Sequence, residues 1–385
     1  MDRGEDKNGI RLTARAAVGM TCRFDVKAHM DRSDGKNGMR LGWRMVAAGL
    51  AIFGLWLGGN AESAGVGVGE SAGQTVGSGA SRVKFVREFS RPEDVTKGLP
   101  PVVDKSMDIL FGKADAKPQG QQMQRPYSVT TDSEQRIYVT DPPAGVVHVF
   151  DYEHSKYAML GGPDSQLKQP VGVAVDQDDN VYVTDGVLGL IAVYSPKGKF
   201  LKYLGKVEGG EPYFTSPSGI AIEKETGKIY VCDAPRHMLI ILDKNGHILG
   251  HFGKRRGGKG PGEFRYPSRI ALVGEEVVVL DSGNSRLEIL DLEGHYRREM
   301  AIPELSVETG LAVDAAKKLY VGNMTLDAID VFRLDGPFLY RFGGLGKGPG
   351  EFDRPCGIWV DRKGRVYVTD MRNARVEEFE LVGEG

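Results

Sequence analysis

Eight basic residues, Arg236, Lys244, Lys254, Arg255, Arg256, Lys259, Arg265 and Arg269, fall in one stretch that holds two acids, Asp243 and Glu263. The chain as a whole carries a formal charge of −2, so this density is local. Guanidinium and ammonium groups gathered in this way suit carboxylates, phosphates or an anionic polymer, which they hold through charge-assisted hydrogen bonds. The run Lys254-Arg255-Arg256-Gly257-Gly258-Lys259 reads as a loop, with Arg236 and His237 expected on the same face. The alternative is an ordinary solvated loop. Tyr266 is the obvious aromatic in the stretch, which is thin for a base-stacking surface.

A second set is acidic. Asp141, Asp185, Asp233, Asp281 and Asp370 each close a short line such as Tyr138-Val139-Thr140-Asp141 or Tyr182-Val183-Thr184-Asp185. Such carboxylates could ring a cation, or each could accept hydrogen bonds from backbone N–H groups and pin its own turn. Recurrence favours the turn role, because a fold needs sameness where a site needs difference. The differences are Arg269, which stands where other copies have Ser128, Gly172, Gly219, Gly310 or Gly357; Glu308, beside a missing proline; and Asn323, in place of the Asp. Arg269, Glu308 and Asn323 are expected near one sector, either as a polar pocket for a small ligand or peptide end, or as a structural ion pair in a drifted repeat.

The elements that must position these residues repeat. Six copies of a strand-turn pattern run from about Pro126 to Leu381, and their marker residues recur every 42 to 48 positions. Within one copy, Gly172–Asp176, Val181–Thr184, Ile191–Tyr194 and Phe200–Leu204 are β-branched or aromatic runs bounded by Gly, Pro, Asn and Asp. Four short antiparallel strands per unit, without helices between them, describe a propeller blade. The sixth copy lacks an outer strand, and Phe85-Val86-Arg87-Glu88-Phe89-Ser90 before the first copy supplies one. The expected fold is therefore all-β, a six-bladed β-propeller of four-stranded antiparallel blades, closed by an N-terminal strand completing the last blade.

The pattern Pro-x-Gly-Val/Ile-Ala-Val-Asp, Val-Tyr-Val-Thr-Asp, Asn-x-Arg, Gly-x-Phe-Leu-x-x-Phe-Gly resembles the NHL repeat. Its best copies carry Asp281, Asn284 and Arg286, and Asp370, Asn373 and Arg375; the spacer Gly260-Pro261-Gly262-Glu263-Phe264 returns as Gly348-Pro349-Gly350-Glu351-Phe352. The opening from Arg82 to Asp94 is also similar to exported bacterial six-bladed NHL proteins of unassigned role. The resemblance implies a fold more than a function, since NHL propellers include binding platforms, lyases and extracellular modules. A lyase of this type implies channel histidines for zinc, and a gluconolactonase-like propeller implies a Glu, Asn and Asp cage for calcium. His148, His154, His237, His247, His251 and His295 are not expected to bring three rings to the channel, and Glu308 and Asn323 would only begin a calcium cage. No cofactor is predicted, with calcium or zinc left open.

Ahead of the repeats, residues 1–38 form a polar extension, and 39–64 combine a basic flank, the apolar run Met45–Leu57 and small residues. That order describes a signal peptide or, if uncleaved, a signal anchor. Residues 65–81 are a Gly/Ser-rich linker and 82–385 the propeller. The protein is expected to be exported to the periplasm or cell envelope, with a membrane attachment only through residues 45–57. Cys22, Cys232 and Cys356 are too few for a disulfide framework, and the last two are expected as buried free thiols. The reading is a non-catalytic platform whose loop face binds a protein, peptide or anionic polymer, with nucleic acid not expected and the chain monomeric. The alternative is a metal-dependent lyase or lactonase-like enzyme with its site in the central channel.

Overall fold

A computed structural model describes residues 82–95, 122–162, 166–207, 209–302 and 310–382. The polar extension, the signal segment, the linker, Cys22 and Glu308 lie outside these residues. After β1 (Val83–Phe89), blade I comprises β2 (Ser128–Thr131), β3 (Ile137–Asp141), β4 (Val146–Asp151) and β5 (Lys156–Gly161). Blade II is β6 (Pro170–Val175), β7 (Val181–Asp185), β8 (Leu190–Tyr194) and β9 (Phe200–Leu204). Blade III is β10 (Pro217–Ile222), β11 (Ile229–Asp233), β12 (Met238–Leu242) and β13 (Ile248–Gly253). Blade IV is β14 (Pro267–Val273), β15 (Glu276–Asp281), β16 (Arg286–Asp291) and β17 (Tyr296–Ala301). Blade V is β18 (Leu311–Val313), β19 (Lys318–Asn323), β20 (Ala328–Arg333) and β21 (Phe338–Gly343). Blade VI is β22 (Pro355–Val360), β23 (Arg365–Asp370) and β24 (Arg375–Leu381), with β1 as its outer strand.

The six sheets each hold four antiparallel strands. Their inner strands touch in the order β2, β6, β10, β14, β18, β22, and β22 returns to β2, so the ring is closed. Each repeated line has a job in this ring. In Ile137–Asp141 all five residues are buried, because the second strand of a blade is covered on both faces by its neighbours. The tyrosine hydroxyl donates to the aspartate of the preceding turn, as from Tyr138 to Asp132 at 2.8 Å and from Tyr182 to Asp176 at 3.0 Å. The threonine hydroxyl stitches blade to blade, from Thr140 to the Val171 carbonyl at 2.9 Å and from Thr184 to the Ser218 carbonyl at 2.7 Å.

The glycine that opens most inner strands is required by the same crowding. A Cβ on Gly219 would stand 2.7 Å from the Ser268 carbonyl oxygen, and one on Gly357 would stand 2.6 Å from that of Tyr127. Both oxygens belong to the next blade, so a side chain would push the ring apart.

Closure uses β1 as the spacing predicts, in the register Val83↔Leu381, Phe85↔Phe379 and Phe89↔Val376. Phe89 is buried against Phe150 of blade I at 4.8 Å between ring centres, and Arg87 bonds Glu378 at 2.7 Å while lying over the Tyr152 ring. The strand therefore ties the last blade to the first as well as capping β24. Burying one such phenylalanine is worth about 2–3 kcal/mol. Cys232 and Cys356 are both buried and, among the described residues, neither is in a disulfide.

Candidate functional site

Chain direction puts the turns after β3, β7, β11, β15, β19 and β23 on one face, together with the crossings between blades. On that face the five recurring carboxylates are fully buried and turned inward to backbone. Asp185 accepts from the N–H groups of Lys168, Gln169, Val187 and Leu188 at 2.6–3.0 Å. Asp141 accepts from Gln124 and Arg125, and Asp233 from Thr215 and Ser216. Burial pushes Asp141 up, but bonds from His148, Gln124 and Arg125 hold it below its ordinary value. His148 is itself fully buried, with its other ring nitrogen 2.6 Å from the Tyr157 hydroxyl.

The Asn-x-Arg copies build a second layer on this theme. Arg286 places Nε 2.9 Å from Asp281 and Nη2 2.7 Å from Glu288, contacts Glu299, and donates to the carbonyls of Lys259, Gly260 and Glu263. Arg375 repeats the set with Asp370, Glu377, Glu88 and the carbonyls of Lys347, Gly348 and Glu351. The arginine thus holds the Gly-Pro-Gly-Glu-Phe spacer in place, with Asn284 and Asn373 bonding the carbonyls of Gly258 and Gly346. Burial raises Glu288 to about 7 and Glu377 to about 8.

The basic sector is brought together as the sequence groups it. The ring of His237, in the left-handed region at φ 59°, accepts from the Tyr266 N–H at 3.1 Å and packs edge-on to the Tyr266 ring. Gly257 of the 254–260 loop lies against the same imidazole. Arg236 donates to the Tyr213 carbonyl at 2.6 Å, lies over the Tyr213 ring and reaches Asp233 at 3.7 Å. Lys254 pairs with Glu263. Arg255, Arg256, Lys259 and Arg265 are exposed, and among the described residues none of the four side chains has an acidic partner. Exposed apolar side chains share this face: Val187, Val207, Tyr266, Leu326 and Leu345. Apart from Tyr266, sequence reasoning passed over these apolar groups because each stands alone in its own loop.

Of the three departures, Arg269 and Asn323 take different courses. Asn323 stays in its turn, donating to Asp330 at 3.0 Å and accepting from Thr325 and Leu326 at 3.2 Å. Glu308 is outside the described residues. Arg269 turns away from the loops and runs across the central channel, only 7% exposed. Its Nη2 reaches the Cys356 carbonyl in blade VI at 3.3 Å, and its guanidinium lies 4.2 Å from the ring centre of Tyr127 in blade I. Tyr127 was missed, although the signal was available: it is an aromatic after the entry proline, where other copies have Val171, Ser218, Ser268 or Cys356. The channel behind Arg269 is a cavity of about 740 Å³ that opens among the turns of the opposite face, including Ser133, Lys224, Glu275 and Arg362. Among the described residues no three His, Cys, Asp or Glu side chains gather as a metal-binding set.

Residues 305–384 match the DUF5128 family, described as a 6-bladed beta-propeller. Over 130 residues the chain is 26% identical to the B-box type zinc finger protein ncl-1 of Caenorhabditis elegans, which covers 32% of this chain and 15% of that protein. Over 54 residues it is 48% identical to Protein lin-41 of the same organism, covering 14% of this chain and 5% of that protein. The chain therefore spans a small part of these relatives' length. Among solved structures it is similar to a gluconolactonase from Xanthomonas campestris, with TM-score 0.54, 14% identity, and coverage of 68% of this chain and 87% of that one. It is also similar to virginiamycin B lyase from Staphylococcus aureus, with TM-score 0.50, 14% identity, and coverage of 68% and 97%. At such identity the likeness concerns the fold.

Proposed function

We propose that this chain, an NHL-type six-bladed propeller, is a non-catalytic binding platform that uses its loop face to hold a protein or peptide with an acidic surface. The observation that carries this reading is the coincidence on one face of exposed apolar side chains with Arg255, Arg256, Lys259 and Arg265, exposed cations without acidic partners among the described residues. Apolar anchors with a charged surround are the ordinary anatomy of a protein-binding surface. The stitched ring supports the reading too, since it holds the loops rigidly and lowers the ordering cost of association. The basic-apolar-small order of residues 39–64 supports a location outside the cytoplasm, in the periplasm or envelope. The partners there would be proteins or anionic polymers of the envelope.

Titration with a fluorescent glutamate-rich peptide tests the charged half of this surface. Binding is expected to weaken with salt and to fall at least tenfold in Arg255→Glu/Arg256→Glu. Undiminished binding by that variant, with an unchanged melting temperature, would remove the patch from the function.

A further inference from the structure

We infer that the central channel is a second binding site, for a small carboxylate with an apolar body, whose carboxylate is taken by Arg269. The site is distinct from the loop face: its cavity of about 740 Å³ is walled by the inner strands and opens on the opposite side.

Arg269 carries the argument. It is 7% exposed, it lines the cavity, and its Nη1 has no hydrogen-bond partner among the described residues. Its Nη2 has one carbonyl partner at 3.3 Å, and the guanidinium face is occupied by Tyr127. No described carboxylate pairs with it. A buried guanidinium that lacks a counter-charge is costly, and a carboxylate presents the two oxygens its free N–H groups can take. The aromatic beneath and the carbonyl beside it fix the plane of the fork, so an incoming anion meets a preset donor.

The rest of the cavity selects the body of the ligand. Between Arg269 and the far mouth the walls are largely apolar, with Val173, Val175, Ile222, Leu272, Val313 and Val360, and with Thr130 and Thr131 on the side of blade I. From Arg269 to Val273 the inner strand rises about 13 Å, a depth that suits a medium-length chain. Of the acids at the mouth, Asp132 pairs with Arg136, Asp361 pairs with Arg365 and Asp314 accepts from the Lys318 backbone N–H, while Glu223, Glu225 and Glu275 stand at the rim. Lys224 and Arg362 stand among them, so the mouth does not present an unbroken negative rim.

Calorimetric titration of the full chain with decanoate and with methyl decanoate tests the charge requirement without any substitution. Decanoate is expected to bind at least tenfold more tightly than the ester. Arg269→Gln is expected to erase that difference and Arg269→Lys to keep part of it. Because Trp359 also lines the channel, 11-bromoundecanoate is expected to quench tryptophan emission in the wild type and to quench it less in Trp359→Phe. Equal affinity for acid and ester, no measurable binding of the acid, a folded Arg269→Gln with wild-type affinity, or quenching unaltered in Trp359→Phe would each overturn the inference.

Discussion

The guanidinium of Arg269 lies 4.2 Å from the centre of the Tyr127 ring, although one residue belongs to blade IV and the other to blade I across the ring. A cation over an aromatic face gains about 2 kcal/mol when both are removed from water. Tyr127→Leu should therefore destabilise the wild type by about 1–2 kcal/mol and do much less in an Arg269→Met background. Chemical denaturation of the four proteins in the cycle checks this, and additive effects would mean that the contact contributes nothing.

Arg286 should be among the least replaceable residues of the ring. It answers Asp281 and Glu288, both fully buried, and three backbone carbonyls. Arg286→Met leaves buried carboxylates without their cationic partner, which typically costs about 3–5 kcal/mol. Arg286→Lys should recover little, since an ammonium cannot fork to so many acceptors. Melting temperatures of the two variants give the comparison.

Acidity should stabilise the fold between about pH 8 and 4.5. Burial raises Glu377 to about 8 and Glu288 to about 7, against an ordinary value of 4.5 in the unfolded chain. In that window the folded state binds more protons than the unfolded one, so stability falls as pH rises. Asp141, held below its ordinary value of 3.8, acts oppositely but only in stronger acid. The melting temperature is expected to decline from pH 5 to pH 8, and Glu288→Gln/Glu377→Gln should flatten the decline. A double variant with the wild-type slope would assign the effect elsewhere.

Removing residues 82–90 should cost the protein its solubility. The deletion strips the outer strand from β24 and uncovers a row of unpaired backbone groups together with Phe379 and Phe150. Size-exclusion chromatography of the truncated chain is expected to show aggregates. A soluble truncation that still melts cooperatively would mean that closure does not depend on β1.

Much of this architecture was legible in the chain because each rule is local. Tyr138 and Asp132, Thr140 and Ser128, and Asp370 and Arg375 lie within about one repeat, and their contacts recur whenever the spacing does. The grouping of His237, Gly257 and Tyr266 was legible for the same reason, since adjacent blades share a crossing. Arg269 was legible as an exception but not in its destination. A missing glycine tells that a side chain is present at the crowded layer, and the space around it decides where that side chain goes.

The sequence by itself determined the repeat, the six blades, the closing strand and the turns that the aspartates occupy, because these follow from a period and from residue preferences within it. Only the tertiary structure decided that Arg269 crosses the channel to Tyr127 and Cys356. Those contacts join blades that are far apart along the chain. They arise from ring closure, which brings opposite blades within a side chain's reach around a narrow axis.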